Sequence, residues 1–235
     1  MNNFDYSILS ALNGFSNHHP LFDEIIYFIG NNSFIKAGFI VAICCWEWFK
    51  NGEGLDKNRA GRETILSALV ASTLSILIAR FAVLALPFRV RPICDPTNGL
   101  HFYNPEGLHW ENWSSFPSDH AILFFTLTTC FFFISRAAGW ITLLHSTFVV
   151  CLPRIYLGIH YPTDILAGAA IGVGIGLLAS RGAIKSAVAK VPLQWMVKYP
   201  GPYYAAFFLF MYEVSVLYND ARTIVVEIMH HLKEP

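Results

Sequence analysis

Long apolar runs constrain this chain more than any other feature. A hydrocarbon core takes about 20 helical residues to cross, and six runs approach that length, roughly residues 33–49, 63–86, 119–135, 137–153, 162–180 and 201–218. Inside a bilayer each backbone N–H and C=O must be satisfied within the element itself, so runs of this length cross as helices. The expected fold is an all-α, polytopic membrane helical bundle of about six transmembrane helices, with residues 1–235 forming one domain. With 54% of residues hydrophobic and 14% charged, the chain is too apolar for an ordinary soluble domain of its length.

The opening stretch lacks a basic n-region followed by an apolar h-region and a small-residue cleavage site, so no cleaved signal peptide is expected. Phe4, Ile8, Leu9, Leu12 and Phe15 recur at helical spacing, which predicts a short helix lying in the membrane interface. Cysteines 44, 45, 94, 130 and 151 have no metal-ligand spacing and read as apolar fillers. A net charge of zero with no basic face gives no reason to expect nucleic acid as a partner.

The 16 Lys and Arg residues are distributed unevenly. Lys50, Lys57, Arg59 and Arg62, then Arg136, then Arg181, Lys185, Lys190 and Lys198 fall in loops that share one side of the bundle. The positive-inside rule makes that side cytoplasmic. The first 33 residues carry no Lys or Arg, and loop 87–118 sets only Arg89 and Arg91 against Asp95, Glu106 and Glu111. Loops 87–118 and 154–161 are therefore expected outside, with the chemistry they carry.

Three segments on that outer face are unusual. The first, from Pro153 to Asp164, puts Arg154, His160 and Asp164 at a membrane boundary, where ionisable groups need a reason. Pro162 suits the first position of a helix, so Asp164 in its first turn can reach back to the His160 ring. A carboxylate on one ring nitrogen fixes the tautomer and leaves the other lone pair free to attack phosphorus. An interfacial histidine before a capped helix would look the same. In the second segment, Ser118 is placed to cap the helix that begins at Asp119, and the exposed N–H groups there suit an anion, with His120 nearby to protonate a leaving oxygen. An ordinary helix cap is the competing reading. The third segment offers Arg89 and Arg91, whose planar forks match phosphate oxygens, although arginines at span ends also serve as interfacial anchors.

Together these segments resemble the type-2 phosphatidic acid phosphatase superfamily, whose signature runs Lys-x6-Arg-Pro, Pro-Ser-Gly-His, Ser-Arg-x5-His-x3-Asp. Arg91 and Pro92 fit the end of the first motif, Pro117, Ser118 and His120 the second, and Arg154, His160 and Asp164 the third, over roughly residues 80–170. The resemblance implies that Arg91, Arg154 and Ser118 hold the phosphoryl oxygens, His160 attacks, Asp164 orients it and His120 is the general acid. Leu84 stands where the first-motif lysine is expected, Asp119 replaces glycine and Pro153 replaces serine. Arg80, one turn before Leu84, or Arg89 is a candidate for the missing charge; an equally physical reading pairs Arg80 with Glu213. The Pro-Ser-Asp-His form with His-Tyr-Pro-x-Asp looks most like the bacterial undecaprenyl-diphosphate phosphatases of this superfamily.

The resulting expectation is a metal-independent enzyme of the bacterial inner membrane that hydrolyses the terminal phosphate of a polyprenyl diphosphate, such as undecaprenyl diphosphate, through a phosphohistidine on the extracytoplasmic side, with the bilayer and its lipid substrate as partners and without a cofactor. The alternatives are a phosphatase or phosphotransferase for phosphatidic acid or lipid A, which would use the same residues, and a silent protein that binds lipid phosphate without turnover. His18, His19, His101, His109, His230 and His231 also lie on the outer side, but no paired carboxylate or ligand spacing accompanies them, so no metal site is expected. Trp110, Trp113, Tyr103 and Phe102 read as an interfacial belt.

Overall fold

The computed structural model describes residues 1–16, 18–50, 58–107, 111, 113–220 and 223–224, and among these all regular structure is helical. His109, Trp110, His230 and His231 lie outside the described residues. Helix α1 spans Asn3–Asn13 and α2 Pro20–Asn31; a π-helical turn, Phe34–Gly38, leads into α3, Phe39–Phe49. The long α4, Arg59–Ala85, is followed by a loop to α5, Asp119–Phe132. Then α6, Arg136–Leu144, a π-helical segment, His145–Cys151, and α7, Leu152–Tyr156, run on without interruption. Helices α8, Pro162–Ala179, α9, Gly182–Lys198, and α10, Pro200–Ser215, complete the bundle.

Each of the six apolar runs is helical, but fewer than six are long enough to cross alone. By length and apolarity α4, the continuous Arg136–Tyr156 run and α8 qualify, and α2 with the π-turn and α3 makes a fourth if that pair, bent by 63°, counts as one. Helix α5 has 14 residues and α10 has 16, short of a full crossing. The basic connector after α8 is itself helical. Helix α9 buries Ala189, Leu193 and Met196 and is tied to α4 by Lys185 Nζ to Thr64 Oγ1 at 3.3 Å and Ser186 Oγ to Glu63 Oε2 at 3.1 Å.

Helices α5 and α8 pack closely, and glycine makes this possible. A Cβ placed on Gly168 would stand 2.7 Å from the Ser118 carbonyl oxygen, and one on Gly176 would stand 2.6 Å from Thr129 Cβ. Small residues let membrane helices approach backbone to backbone, where dispersion and polar contacts replace the hydrophobic effect. Thr126 Oγ1 crosses the seam to the Gly172 carbonyl at 3.2 Å. Because α5 and α8 both begin at the same end of the bundle, the seam sets His120 and Asp164 near one another.

The opening helix is not a separate interfacial element. Asp5 and Leu9 are fully buried, and α1 packs on α7 and α8. At the opposite end of α4, Trp48 of α3 packs on Tyr203 and Phe207 of α10, with ring centroids 6.2 and 4.7 Å away.

Candidate active site

A cavity of about 720 Å³ opens where α4 ends, α5 begins and α7 ends. Its polar wall carries Lys36, Arg80, Arg91, Asp119, His120, Arg154 and His160; its apolar wall continues along α4 through Ile76 and Leu77.

His160 sits in the short link between α7 and α8 and is 2% exposed. Its Nδ1 lies 2.8 Å from the Ser115 carbonyl oxygen, an acceptor only, so the proton is on Nδ1 and Nε2 keeps its lone pair. Burial lowers the pKa of this ring below its ordinary 6.5, the Asp164 carboxylate opposing and Arg91 and Arg154 assisting. Asp164 was expected to hold the ring directly. Its Oδ2 stands 3.8 Å from Nδ1, beyond hydrogen-bond length, because its oxygens are committed to the Tyr161 N–H, at 2.8 Å, and to Arg89. The carboxylate thus acts on His160 through its field and by fixing the link, and the Ser115 carbonyl sets the tautomer.

His120 occupies the first turn of α5. Its Nδ1 is 2.8 Å from Asp119 Oδ1 and its Nε2 is 2.6 Å from an Arg154 terminal nitrogen. Carboxylate and guanidinium together fix a neutral ring with the proton on Nδ1. Arg154 is 5% exposed, and its Nε has no hydrogen-bond partner among the described residues. A buried guanidinium donor without an acceptor, in a cavity wall, is ready for an oxyanion. Asp119 also receives Arg80, at 3.4 Å, whose guanidinium carbon lies 5.5 Å from the Trp113 ring centroid. The Arg80 ion pair is thus with Asp119, a partner that neither expectation for Arg80 had named.

The other expected phosphate ligands have structural work of their own. Arg91 reaches the cavity wall while donating to three carbonyls, those of Trp113, Ile159 and Ser114, at 3.0, 2.9 and 3.3 Å. It staples the loop before α5 to the link that carries His160. Ser118 caps α5, its Oγ accepting from the Ala121 N–H at 3.4 Å, and is not among the residues lining the cavity. Arg89 is also absent from that wall. Its guanidinium is held by Asp5 at 2.8 Å, by Thr163 at 2.9 Å and by Asp164, and it lies over the Tyr161 ring with its carbon 4.0 Å from the centroid. Leu84 is 85% exposed and likewise away from the cavity.

Sequence reasoning missed three participants. The Ser115 carbonyl carries no side-chain signal. Asp5 was visible as an acid in an apolar helix; it accepts Arg89 together with the Thr163 N–H, at 2.9 Å, capping α8 from another helix. Lys36 was visible as a charge inside an apolar run, which is by default a mark of function. Among the described residues no group of three or more His, Cys, Asp or Glu side chains could hold a metal ion.

Comparison with known proteins adds independent findings. The family model described as the PAP2 superfamily matches residues 64–186. Undecaprenyl-diphosphatase BcrC of Bacillus subtilis (strain 168) is 27% identical over 177 residues, which are 75% of this chain and 83% of that protein. The putative undecaprenyl-diphosphatase YbjG of Escherichia coli (strain K12) is 27% identical over 181 residues, 77% of this chain and 83% of its own. The crystal structure of a transmembrane PAP2-type phosphatidylglycerolphosphate phosphatase from Bacillus subtilis covers 74% of this chain and 82% of that one, at 22% identity and a TM-score of 0.49.

Proposed function

Since the chain belongs to the PAP2 superfamily, we propose that it is a membrane phosphatase that removes the terminal phosphate of a polyprenyl diphosphate, such as undecaprenyl diphosphate, through a phosphohistidine on His160. The observation that carries this reading is the juxtaposition in one cavity of two histidines of fixed tautomer with a buried arginine whose Nε lacks an acceptor. The diphosphatase names of the relatives support the substrate class.

In the proposed reaction His160 Nε2 attacks the terminal phosphorus in line, while Arg154 and the N–H groups at the start of α5 take the equatorial oxygens. A phosphate that draws Arg154 onto its oxygens frees His120 Nε2, which at rest accepts from that arginine. Once freed, His120 Nε2 takes a proton from the incoming phosphate or from solvent and gives it to the departing oxygen; Asp119 on Nδ1 holds the ring in line and balances the transient charge. The ring then takes a proton from the water that hydrolyses the phosphohistidine. None of these steps calls for a metal ion.

The side of the membrane follows from charge. Arg59, Arg62, Arg136 and Arg181 lie at the helix ends remote from the cavity. The positive-inside rule makes that end cytoplasmic and directs the cavity to the extracytoplasmic side, in a bacterial inner membrane.

The test measures phosphate release from undecaprenyl diphosphate, phosphatidic acid and a soluble sugar phosphate in EDTA, with wild type and His160→Ala. Release from the diphosphate that vanishes in the variant is the expected result. Preference for phosphatidic acid would replace the substrate and keep the mechanism; release only after metal is restored would end the metal-free mechanism, and a fully active variant would end the role of His160.

A further inference from the structure

The cavity contains a cation that the mechanism above leaves unused. Lys36 is 4% exposed and shares the wall with Arg154, Asp119 and His120. Its charge lies within electrostatic reach of those three residues. Among the described residues its ammonium has no hydrogen-bonded or ion-paired partner. A lysine inside a membrane segment is costly unless it faces water or an anion, and this one faces the cavity.

Its placement is built into the backbone. Lys36 sits in the π-helical turn Phe34–Gly38, where α2 bends into α3. A π-turn admits an extra residue, changes which side chains face the core, and recurs at functional sites. Here it is anchored from the facing π-helical segment: His145 Nε2 donates to the Ile35 carbonyl at 2.9 Å, and Phe39 stacks on the same ring at 4.5 Å. His145 is thus a positioning residue for the turn that presents Lys36.

We infer that Lys36 binds the leaving phosphate of a lipid diphosphate and so makes the site prefer diphosphates to monophosphates. This rests on the assignment of His120 as the acid at the leaving oxygen, because Lys36 lines the same cavity and its charge acts on the His120 ring. As the His160 Nε2–phosphorus bond forms, the bond from that phosphorus to the bridging oxygen breaks. The electron pair stays on that oxygen, which receives the His120 proton. From a diphosphate the departing group is a lipid phosphate, still anionic after protonation, and an ammonium beside it stabilises charge that grows as the bond breaks. From a monophosphate the departing group is a neutral alcohol once protonated, which gives Lys36 little to hold.

The experiment compares kcat/KM for farnesyl diphosphate and farnesyl monophosphate in the same micelles, for wild type, Lys36→Met and Lys36→Arg. The ratio of the two values does not depend on how much of a variant is folded. The diphosphate-to-monophosphate ratio should fall on the order of tenfold or more in Lys36→Met, the scale of one charge-assisted contact to phosphate. It should return most of the way in Lys36→Arg. An unchanged ratio, including equal loss on both substrates, would overturn the role of Lys36 and leave the diphosphatase reading standing. A wild-type enzyme that cleaves the monophosphate but not the diphosphate would overturn both.

Discussion

At His160 burial and hydrogen bonding act together, and the consequence can be measured. Burial holds the ring below its ordinary 6.5, so it is neutral at pH 7 and takes a proton only as pH falls through the lowered value. The nucleophilic competence proposed for His160 would therefore be present above that value and lost below it. Nitrogen NMR of the labelled ring should show the Nδ1–H tautomer at neutral pH and protonation confined below pH 6.5; a ring still titrating above that pH would contradict the assignment. Asp5 supplies a second prediction. It is fully buried and joins Arg89 and Thr163 to α1, so Asp5→Ala removes one of two carboxylates on Arg89 and strands a helix N–H. Arg89 keeps Asp164 and is partly exposed, which discounts the cost to about 1–3 kcal/mol, seen as a lower melting temperature with reduced turnover. The sequence singled out His120, Arg154 and His160 by the motif spacing that carries the family resemblance, since local helix-end chemistry alone left an ordinary cap as a competing reading. The Asp5–Arg89 pair was not, because its partners are 84 residues apart and only the packing of α1 on α8 brings them together.

At the scale of helices, the seam between α5 and α8 decides whether the two histidines share a cavity. Gly168 and Gly174 lie on the same helix in opposite situations. A Cβ on Gly168 would press on the Ser118 carbonyl, whereas nothing lies within 4 Å of one on Gly174. Gly168→Ala should destabilise by about 1–3 kcal/mol, as overpacking does, and lower activity by shifting the start of α5. Gly174→Ala should be neutral or stabilising, since alanine favours a helix by up to about 1 kcal/mol over glycine. Parallel melting curves and phosphate-release assays check the pair, and equal behaviour of the two variants would refute the seam argument. The Ser118 cap and the Pro162 helix start were readable because both are local. Helices α2 and α9 were not. A short helix beside an apolar run looks like a connector, and what stabilises α9 is its contact with α4.

Among the described residues the charges are segregated: basic residues collect at the end remote from the cavity, and the cationic groups near its mouth are engaged with acids, carbonyls or a prospective phosphate. The family model begins at residue 64, so Asp5, Lys36 and the helices that hold them lie before the matched region. That explains why motif reading found the wall that carries His120, Arg154 and His160 and not the wall that carries Lys36. The apolar wall has a further consequence. Leu77 lines the cavity and is also 59% exposed on the flank of α4, so the cavity reaches the lipid-facing surface there. Substrate can then enter sideways, and enzyme and substrate meet by lateral diffusion in two dimensions. The concentration that governs turnover is the mole fraction of substrate in the lipid or micelle. Adding detergent at constant bulk substrate should therefore slow the enzyme in proportion to the dilution of that surface, and a rate indifferent to such dilution would mean that the substrate arrives through water.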